Sequence, residues 1–420
     1  VDIVSLSAIL AAIFATLLLT GVWIGFSLIG VALVALILNN NSAIDLIFAG
    51  TAFAHLTPWS LIALPLFIWM GELLYKAKVA DDLFNGLSPV LEKLPGGHLH
   101  INVFGSGIFA ALSGSSAATA ATIGRMTIPE LKKRGYNEQD IYGSLAGSAT
   151  LGLLIPPSII LIVYGVAADI SIADLFIAGI LPGLILLALF STYIAIRGYL
   201  KPLDKSQLIA SSGSPLTLLP IISLITFVIA AIYFGFATPS ESAVLGIVGS
   251  FILIKAKKRL TLELVKQSLV DAAMTTAMIL LILLGASFVT IAMGFLQLPA
   301  TLATWIASLE LGNYQLLIYL TLAFILLGLF LDGISIIVLT AAILLPIVEL
   351  AGIDLIWFGI YLVVVVEISQ ITPPIGFNLF VLKSLTNASL AQLAKACLPY
   401  FLIILLMLGL LVMFPEIVTR

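Results

Sequence analysis

Apolar runs of about 20 residues recur along the chain, the length a helix needs to cross the hydrocarbon core of a bilayer. Candidate spanning helices fall at 3–20, 22–38, 58–75, 140–168, 172–197, 215–234, 240–255, 271–290, 355–386 and 396–415. Two of these, 140–168 and 355–386, are interrupted by Pro-Pro pairs at 156–157 and 373–374. Two further apolar stretches, 101–129 and 314–347, carry small polar clusters, Ser113–Ser116 and Asp332–Ser335, and end at Pro129 and Pro346. They are predicted to form re-entrant hairpins, helix down and helix back, with polar tips at membrane depth. Irregular backbone is tolerated there only inside protein or beside a water-filled cavity. Residues 79–94 and 298–310 precede the two hairpins, read as amphipathic, and are predicted to lie along the membrane surfaces.

The two hairpin regions share one spacing. Pro129 to Gly135 and Pro346 to Gly352 are both 6 residues, and each Pro lies 27 residues before its Pro-Pro pair. Corresponding Gly- or Pro-interrupted apolar segments in two halves of a chain point to a transporter's binding site. Composition fits. The 420 residues are 61% hydrophobic and 9% charged, against about 25% charged in soluble domains. The polar stretches 76–100, 131–140 and 199–214 are loop-sized. The expected fold class is an all-α polytopic membrane protein with an inverted repeat. It forms one integral membrane domain over 1–420: scaffold helices 1–94, first repeat 95–200, connector (201–214) and scaffold helices to 312, second repeat 313–420. The first apolar run lacks a basic n-region and a cleavage site, so a signal peptide is not expected. Cys397 is the single cysteine, which excludes an intramolecular disulfide and a cysteine metal cluster.

The basic residues set the orientation. With the N-terminus outside, 16 of the 18 Lys and Arg face the cytoplasm, Arg125 lies near the inner end of the first hairpin, and Arg420 falls outside. The linker after the first hairpin (LKKRG) is basic, and that after the second (VELAGID) is not. The hairpins are therefore predicted to enter from opposite faces, with both termini periplasmic.

At the first tip, Ser113, Gly114, Ser115, Ser116 and Thr119 offer a tight reversal and hydroxyl oxygens. Broken helices expose carbonyls at one stump for a cation, and N–H groups at the other for an anion. Asp332 is the sharpest single residue, because a carboxylate at membrane depth costs about 2.5–3.5 kcal/mol and is functional by default. Its expected match in the first repeat is Ser113, and a second role for it is to cap the returning helix. The Pro-Pro breaks free carbonyls around Gly152–Ile155 and Ser369–Thr372. The predicted Na⁺ ligands are Ser113, Gly114, Ser115, Ser116, Gly152 and Pro156 in the first repeat, and Asp332, Gly333, Ser335, Ser369, Thr372 and Pro373 in the second. Ser116, Thr119, Ser148, Thr150, Gln370 and Arg125 are candidate substrate contacts, although Arg125, ten residues past Ser115, also suits snorkelling to the interface. Glu367 reads either as a further ligand or as an inward-facing residue bonded to backbone. Glu72 and Glu241 read as structural groups at span ends, His55, His98 and His100 lack a metal-ligand pattern, and the five Trp read mostly as interface anchors. No GxxxxGK[ST] is present, so energy must come from an ion gradient or another subunit.

With these residues in place, the chain resembles the large membrane subunit of tripartite ATP-independent periplasmic (TRAP) transporters. The resemblance covers essentially all 420 residues and rests on ALPLFIWMGELL (63–74), GGHLHINV (96–103), SGSSAATAATIG (113–124), IPPSIILIVYG (155–165), LFIAGILPG (175–183), FGFATPSESAVLG (234–246), LFLDGISIIVLTAAILLPI (329–347), ITPPIGFNLFV (371–381) and LPYFLIILL (398–406). It implies an elevator-type fold, Na⁺-coupled uptake of an organic acid across the bacterial inner membrane, and sodium sites where the tips meet the broken helices. It also implies two partners: a small four-helix membrane subunit, expected as a separate chain, and a periplasmic substrate-binding protein. Membrane lipid surrounds the chain; no organic cofactor and no nucleic acid are expected, and the chain is not an enzyme. The family often has an acidic residue in the first hairpin's small-residue stretch, which here is all Ser, Ala and Thr. Rival readings are a stand-alone sodium–dicarboxylate or sodium–proton carrier, an intramembrane enzyme using Asp332 and Glu367 as an acid pair, and a channel. Sialic acid, C4-dicarboxylates, keto acids and sulfonates all remain open as substrates, as does the number of sodium ions.

Overall fold

The computed structural model of the protein describes residues 3–201, 213–298, 301, 304, 308, 312–328, 331–373 and 376–418. The described residues form helices joined by turns, with no strand among them. In chain order the α-helices are α1 (Ile3–Leu19), α2 (Ile24–Leu38), α3 (Ile44–Leu56), α4 (Ala63–Lys76), α5 (Ala80–Leu91), α6 (His100–Ser113), α7 (Ser116–Lys133), α8 (Glu138–Ala149), α9 (Leu151–Leu154) and α10 (Ile159–Ala167). They continue with α11 (Ile172–Leu200), α12 (Leu219–Tyr233), α13 (Pro239–Ala256), α14 (Leu262–Phe295), α15 (Asn313–Leu327), α16 (Gly333–Leu350), α17 (Leu355–Ile371), α18 (Phe377–Leu385) and α19 (Leu390–Met413). Among the described residues, five helices are long and apolar enough to cross a bilayer, or up to seven if each of two bent pairs is one span.

The helices pack in two groups that touch each other. α14 packs along α2, α3 and α4, and α13 along α4, forming a frame. The two repeats make the other group. α6 and α7 pack against each other and onto α8 and α9, while α15 and α16 each lie on α17. The helix after each break then crosses over: α10 packs on α16, and α18 packs on α7. Each repeat is thus completed by a stub from the other.

Local sequence explains the breaks. At the first, Ile155 is extended (φ −74°, ψ 121°) ahead of Pro156-Pro157, and helix restarts at Ser158, whose Oγ caps Leu161 N–H at 3.4 Å. The flanking segments bend by 41°. At the second, helix ends at Ile371, Thr372 is extended, and α18 begins after Gly376.

Several sequence expectations need correction. No span was expected over 44–56, yet α3 forms there and meets the Trp59–Lys76 segment at a 61° bend. The 271–290 span is the core of a 34-residue helix that starts at Leu262, and 396–415 belongs to a helix starting at Leu390. Residues 80–91 are helical as expected, with Leu83, Leu87 and Leu91 buried against the bundle. Most of 298–310 lies outside the described residues, as do 202–212 of the connector. Of the tryptophans, Trp23 and Trp59 are exposed. Trp69 instead donates to Ser268 at 3.2 Å and Trp357 is buried, stacked on Tyr361, so these two are packing residues rather than interface anchors; Trp305 lies outside the described residues.

The basic segments gather through ion pairs. Lys257 and Arg259 meet Asp82, Lys76 meets Asp271 at 2.5 Å, Arg197 meets Asp140 at 2.7 Å, and Lys132 meets Glu138 at 2.7 Å. His98 stacks on Phe84, and Arg134 lies over the same ring and donates to His98 Nε2 at 3.3 Å. Burial and the neighbouring Arg134 charge hold the His98 imidazole neutral, its pKa lowered to about 4.

Candidate transport site

At the first tip, α6 ends at Ser113 and Gly114 reverses the chain in the left-handed region (φ 59°). Ser115 is the N-cap of α7: its Oγ accepts from Ala118 N–H at 3.4 Å, satisfying one of the orphan donors of a helix start. Thr119 Oγ1 donates to the Ser115 carbonyl at 2.7 Å and lies 3.1 Å from Ser113 Oγ. The tip is docked by backbone on the broken helix. Ile159 N–H donates to the Gly114 carbonyl at 3.3 Å. A Cβ on Gly152 would stand 2.7 Å from the Ser115 carbonyl, and one on Gly114 would stand 2.8 Å from the Pro157 oxygen. Only glycines permit this approach.

At the second tip, Asp332 is the N-cap of α16. Its Oδ2 accepts from Ile334 N–H at 3.1 Å and Ser335 N–H at 3.4 Å, and Oδ1 accepts the Ser335 hydroxyl. Gly333 packs on Ile160 and Val366, where a Cβ would come within 2.8 Å of each. On α17, Ser369 donates to Val366 O at 2.7 Å and Thr372 Oγ1 to Ile368 O at 2.6 Å, while Gly376 N–H donates to the Thr372 carbonyl at 2.9 Å. Pro373 is exposed, and Pro374 lies outside the described residues.

The cap geometry corrects the match between the repeats. Pro346 follows Pro129 by 217 residues, and so does Asp332 follow Ser115. Both are N-caps. Asp332 therefore corresponds to Ser115, not to Ser113. By the same offset Gly333 corresponds to Ser116, and their crossed contacts differ: Gly333 meets apolar Ile160, whereas Ser116 Oγ lies 2.9 Å from Oδ1 and 2.7 Å from Nδ2 of Asn378.

Both tips line one cavity of about 490 Å³ between the repeats and the frame. Ser113, Gly114, Ser115, Ser116, Asp332, Gly333 and Gln370 face it, together with Glu72 and Tyr75 of α4 and Thr275 and Met278 of α14. Asp332 and Met278 also border a second, apolar cavity of about 760 Å³ formed with α1, α2 and Leu331. Other predicted residues stand behind the walls. Gly152, Pro156, Ser335, Ser369 and Thr372 do not line the cavity. Gly152 packs on Ser115 and Ser335 bonds Asp332, whereas Ser369 and Thr372 bond within α17 and Pro156 faces α11 and α12. Thr119 is buried beneath the first tip. Ser148 is also buried, bonded to Asn102 O at 2.9 Å and Ser144 O at 2.6 Å, and Thr150 donates to Gly147 O at 2.8 Å, so both serve helix packing. Arg125 is exposed and donates to Tyr75 Oη at 3.2 Å. Glu367 is fully buried and neither oxygen has a hydrogen-bond partner among the described residues. Sequence reasoning missed Asn378, Tyr75 and Thr275, whose only signal is position in three dimensions, and read Glu72 as a structural end group.

A profile of the Tripartite ATP-independent periplasmic transporter, DctM component, matches residues 11–417. The chain belongs to this family. It is 32% identical to the C4-dicarboxylate TRAP transporter large permease protein DctM of Pseudomonas aeruginosa, over 86% of this chain and 85% of that one. It is 31% identical to the sialic acid TRAP transporter large permease protein SiaM of Vibrio cholerae, over 95% and 94%. The isethionate TRAP transporter permease protein DctMQ of Oleidesulfovibrio alaskensis is 32% identical over 97% of this chain, which spans 65% of that longer protein. Among solved structures, the Alcanivorax borkumensis YdaH transporter superposes with a TM-score of 0.62 at 13% identity, covering 90% of this chain and 89% of that one. That likeness concerns the fold alone. The chain is thus a multi-pass membrane transporter subunit of the DctM family, and its relatives are permeases, not enzymes.

Proposed function

We propose that this chain is the translocating subunit of a three-part uptake system, importing a small organic acid anion together with Na⁺ across the bacterial inner membrane. The observation that carries the reading is the single cavity bounded by both tips. Asp332 supplies the charged oxygen for a cation at the second tip, while the first tip offers neutral hydroxyls and the start of α7. An N-terminus without a carboxylate cap favours an anion, and one capped by Asp332 is already balanced. One Na⁺ site would draw on Ser113–Ser116 with the Gly152–Pro156 stump, and the other on Asp332, Gly333 and Ser335 with Ser369–Pro373. In this reading both hairpins are re-entrant from opposite faces, the termini are periplasmic, and the repeats slide as one body along α4 and α14. The substrate class follows the relatives, whose names specify C4-dicarboxylate, sialic acid and isethionate.

The partners would be a periplasmic binding protein and a small membrane subunit, here a separate chain. The test is uptake into vesicles holding the reconstituted chain. Accumulation driven by an inward Na⁺ gradient, only when both partners are added, is the expected result. Uptake by this chain alone overturns the tripartite assignment, and uptake indifferent to Na⁺ overturns the coupling.

A further inference from the structure

The charge of the cavity is unexpected for an anion carrier. Among the described residues that line it, none is Lys, Arg or His, and the charged side chains are Glu72 and Asp332. Asp332 accepts three hydrogen bonds at the start of α16, and its remaining acceptor capacity is assigned to the cation. Glu72 makes no hydrogen bond or ion pair with another described residue. The base one turn along α4, Lys76, is held by Asp271 of α14 at 2.5 Å. Arg125 is turned to the Tyr75 hydroxyl and does not line the cavity.

α4 runs close against the first tip at the residue before Glu72. Gly71 lies so close to the first tip that a Cβ there would stand 2.9 Å from the Leu112 carbonyl and 3.2 Å from Ser113 Cα. Glu72 itself lines the cavity from α4, together with the tip that offers hydroxyls. A carboxylate turned toward a bound anion needs a donor between them, because two like charges brought together out of water disfavour each other. A polar group left unpaired by the wrong ligand also rejects that ligand strongly.

We propose that Glu72 is the selectivity-determining residue of this cavity, accepting from a hydroxyl or ammonium group that the organic acid carries at the end away from its carboxylate. The assignment rests on the cavity being the substrate site. It makes the preferred substrate a hydroxy acid or a zwitterion rather than a plain alkyl acid.

The experiment uses the purified full chain in detergent with Na⁺, and a matched series of acids: butyrate, 4-hydroxybutyrate and 4-aminobutyrate, with their homologues to six carbons. The readout is the acid concentration giving half the maximal rise in unfolding temperature, since a ligand that binds only the folded state stabilises it. The hydroxyl- and ammonium-bearing acids are expected to act at concentrations at least about 10-fold lower than the alkyl acid, the ratio that one hydrogen bond to a charged group gives. Glu72→Gln keeps an acceptor oxygen without the charge, so it should retain the preference for the hydroxy acid and lose that for the amino acid. Glu72→Ala should lose both; if it fails to fold, the near-isosteric Gln variant decides. Equal, Na⁺-dependent stabilisation by all three acids overturns the role of Glu72 and leaves the cavity as substrate site. No Na⁺-dependent stabilisation by any acid overturns the cavity reading and the inference with it.

Discussion

Asp332 holds two jobs in one side chain, and they are separable by substitution. Asn is as good an N-cap as Asp, whereas Ala costs about 1 kcal/mol at such a position. Asp332→Asn should leave the unfolding temperature near that of the parent and reduce Na⁺-driven uptake at least 10-fold, whereas Asp332→Ala should lower both. Normal sodium dependence in the Asn variant would remove the carboxylate from the ion site. His98 yields a prediction outside the membrane. Its folded pKa, about 4, lies below the ordinary imidazole value of about 6.5, so between those values the unfolded chain binds more protons and stability falls as pH falls. At one pKa unit per about 1.4 kcal/mol, the loss is on the order of 3 kcal/mol by the time pH reaches the folded value. His98→Gln should flatten the decline of unfolding temperature between pH 6.5 and 4, and an unchanged slope would assign the acid sensitivity elsewhere. Asp332 was legible in the chain because charge stands out in an apolar run. Its partner was not, because SGSS offers three similar serines and only the backbone shows which one caps α7.

The hairpin tips work as elements through backbone contacts that leave no room for side chains. Gly114→Ala would place a methyl in a left-handed residue and within 2.8 Å of the Pro157 oxygen. Overpacking of that kind costs about 1–3 kcal/mol. A lowered unfolding temperature together with impaired uptake is expected, and full activity would show that the docking of tip on broken helix is dispensable. The Ser116–Asn378 contact joins elements of opposite repeats. Removing either partner leaves a buried polar group, at a cost of about 1–3 kcal/mol. The double variant Ser116→Ala/Asn378→Leu should therefore be less destabilised than the sum of the single changes; strict additivity in thermal unfolding would deny the coupling. The Pro-Pro breaks were readable from proline chemistry alone. α3 was not, because it is a 13-residue helix, short of a span, and it forms by packing on α14.

At the scale of the molecule, the exchange of stubs packs each repeat on the other, and the proposed mechanism has them move together against α4 and α14. Tyr75 of α4 and Arg125 of α7 touch across that boundary. Joining Tyr75→Cys and Arg125→Cys with a flexible bis-maleimide should cut uptake at least 10-fold relative to the same protein untreated. Each single variant should be indifferent to the reagent. Unimpaired uptake by the joined protein would show that α7 and α4 do not need to separate.

The linear order of residues was enough to establish the membrane class, the paired repeats, the two breaks and the polar tips, because each depends on local rules: apolar length, proline's missing N–H and the cost of a buried charge. The family was legible for the same reason, through runs of ordered motifs. What required the tertiary structure is whatever depends on distance between segments remote in sequence. The crossing of α10 and α18 between repeats, the bond from Ser116 to Asn378 over 262 positions, and the cavity that Glu72 shares with the first tip all arise from packing. No local pattern encodes them, since a helix reveals which face is apolar but not which neighbour will cover it.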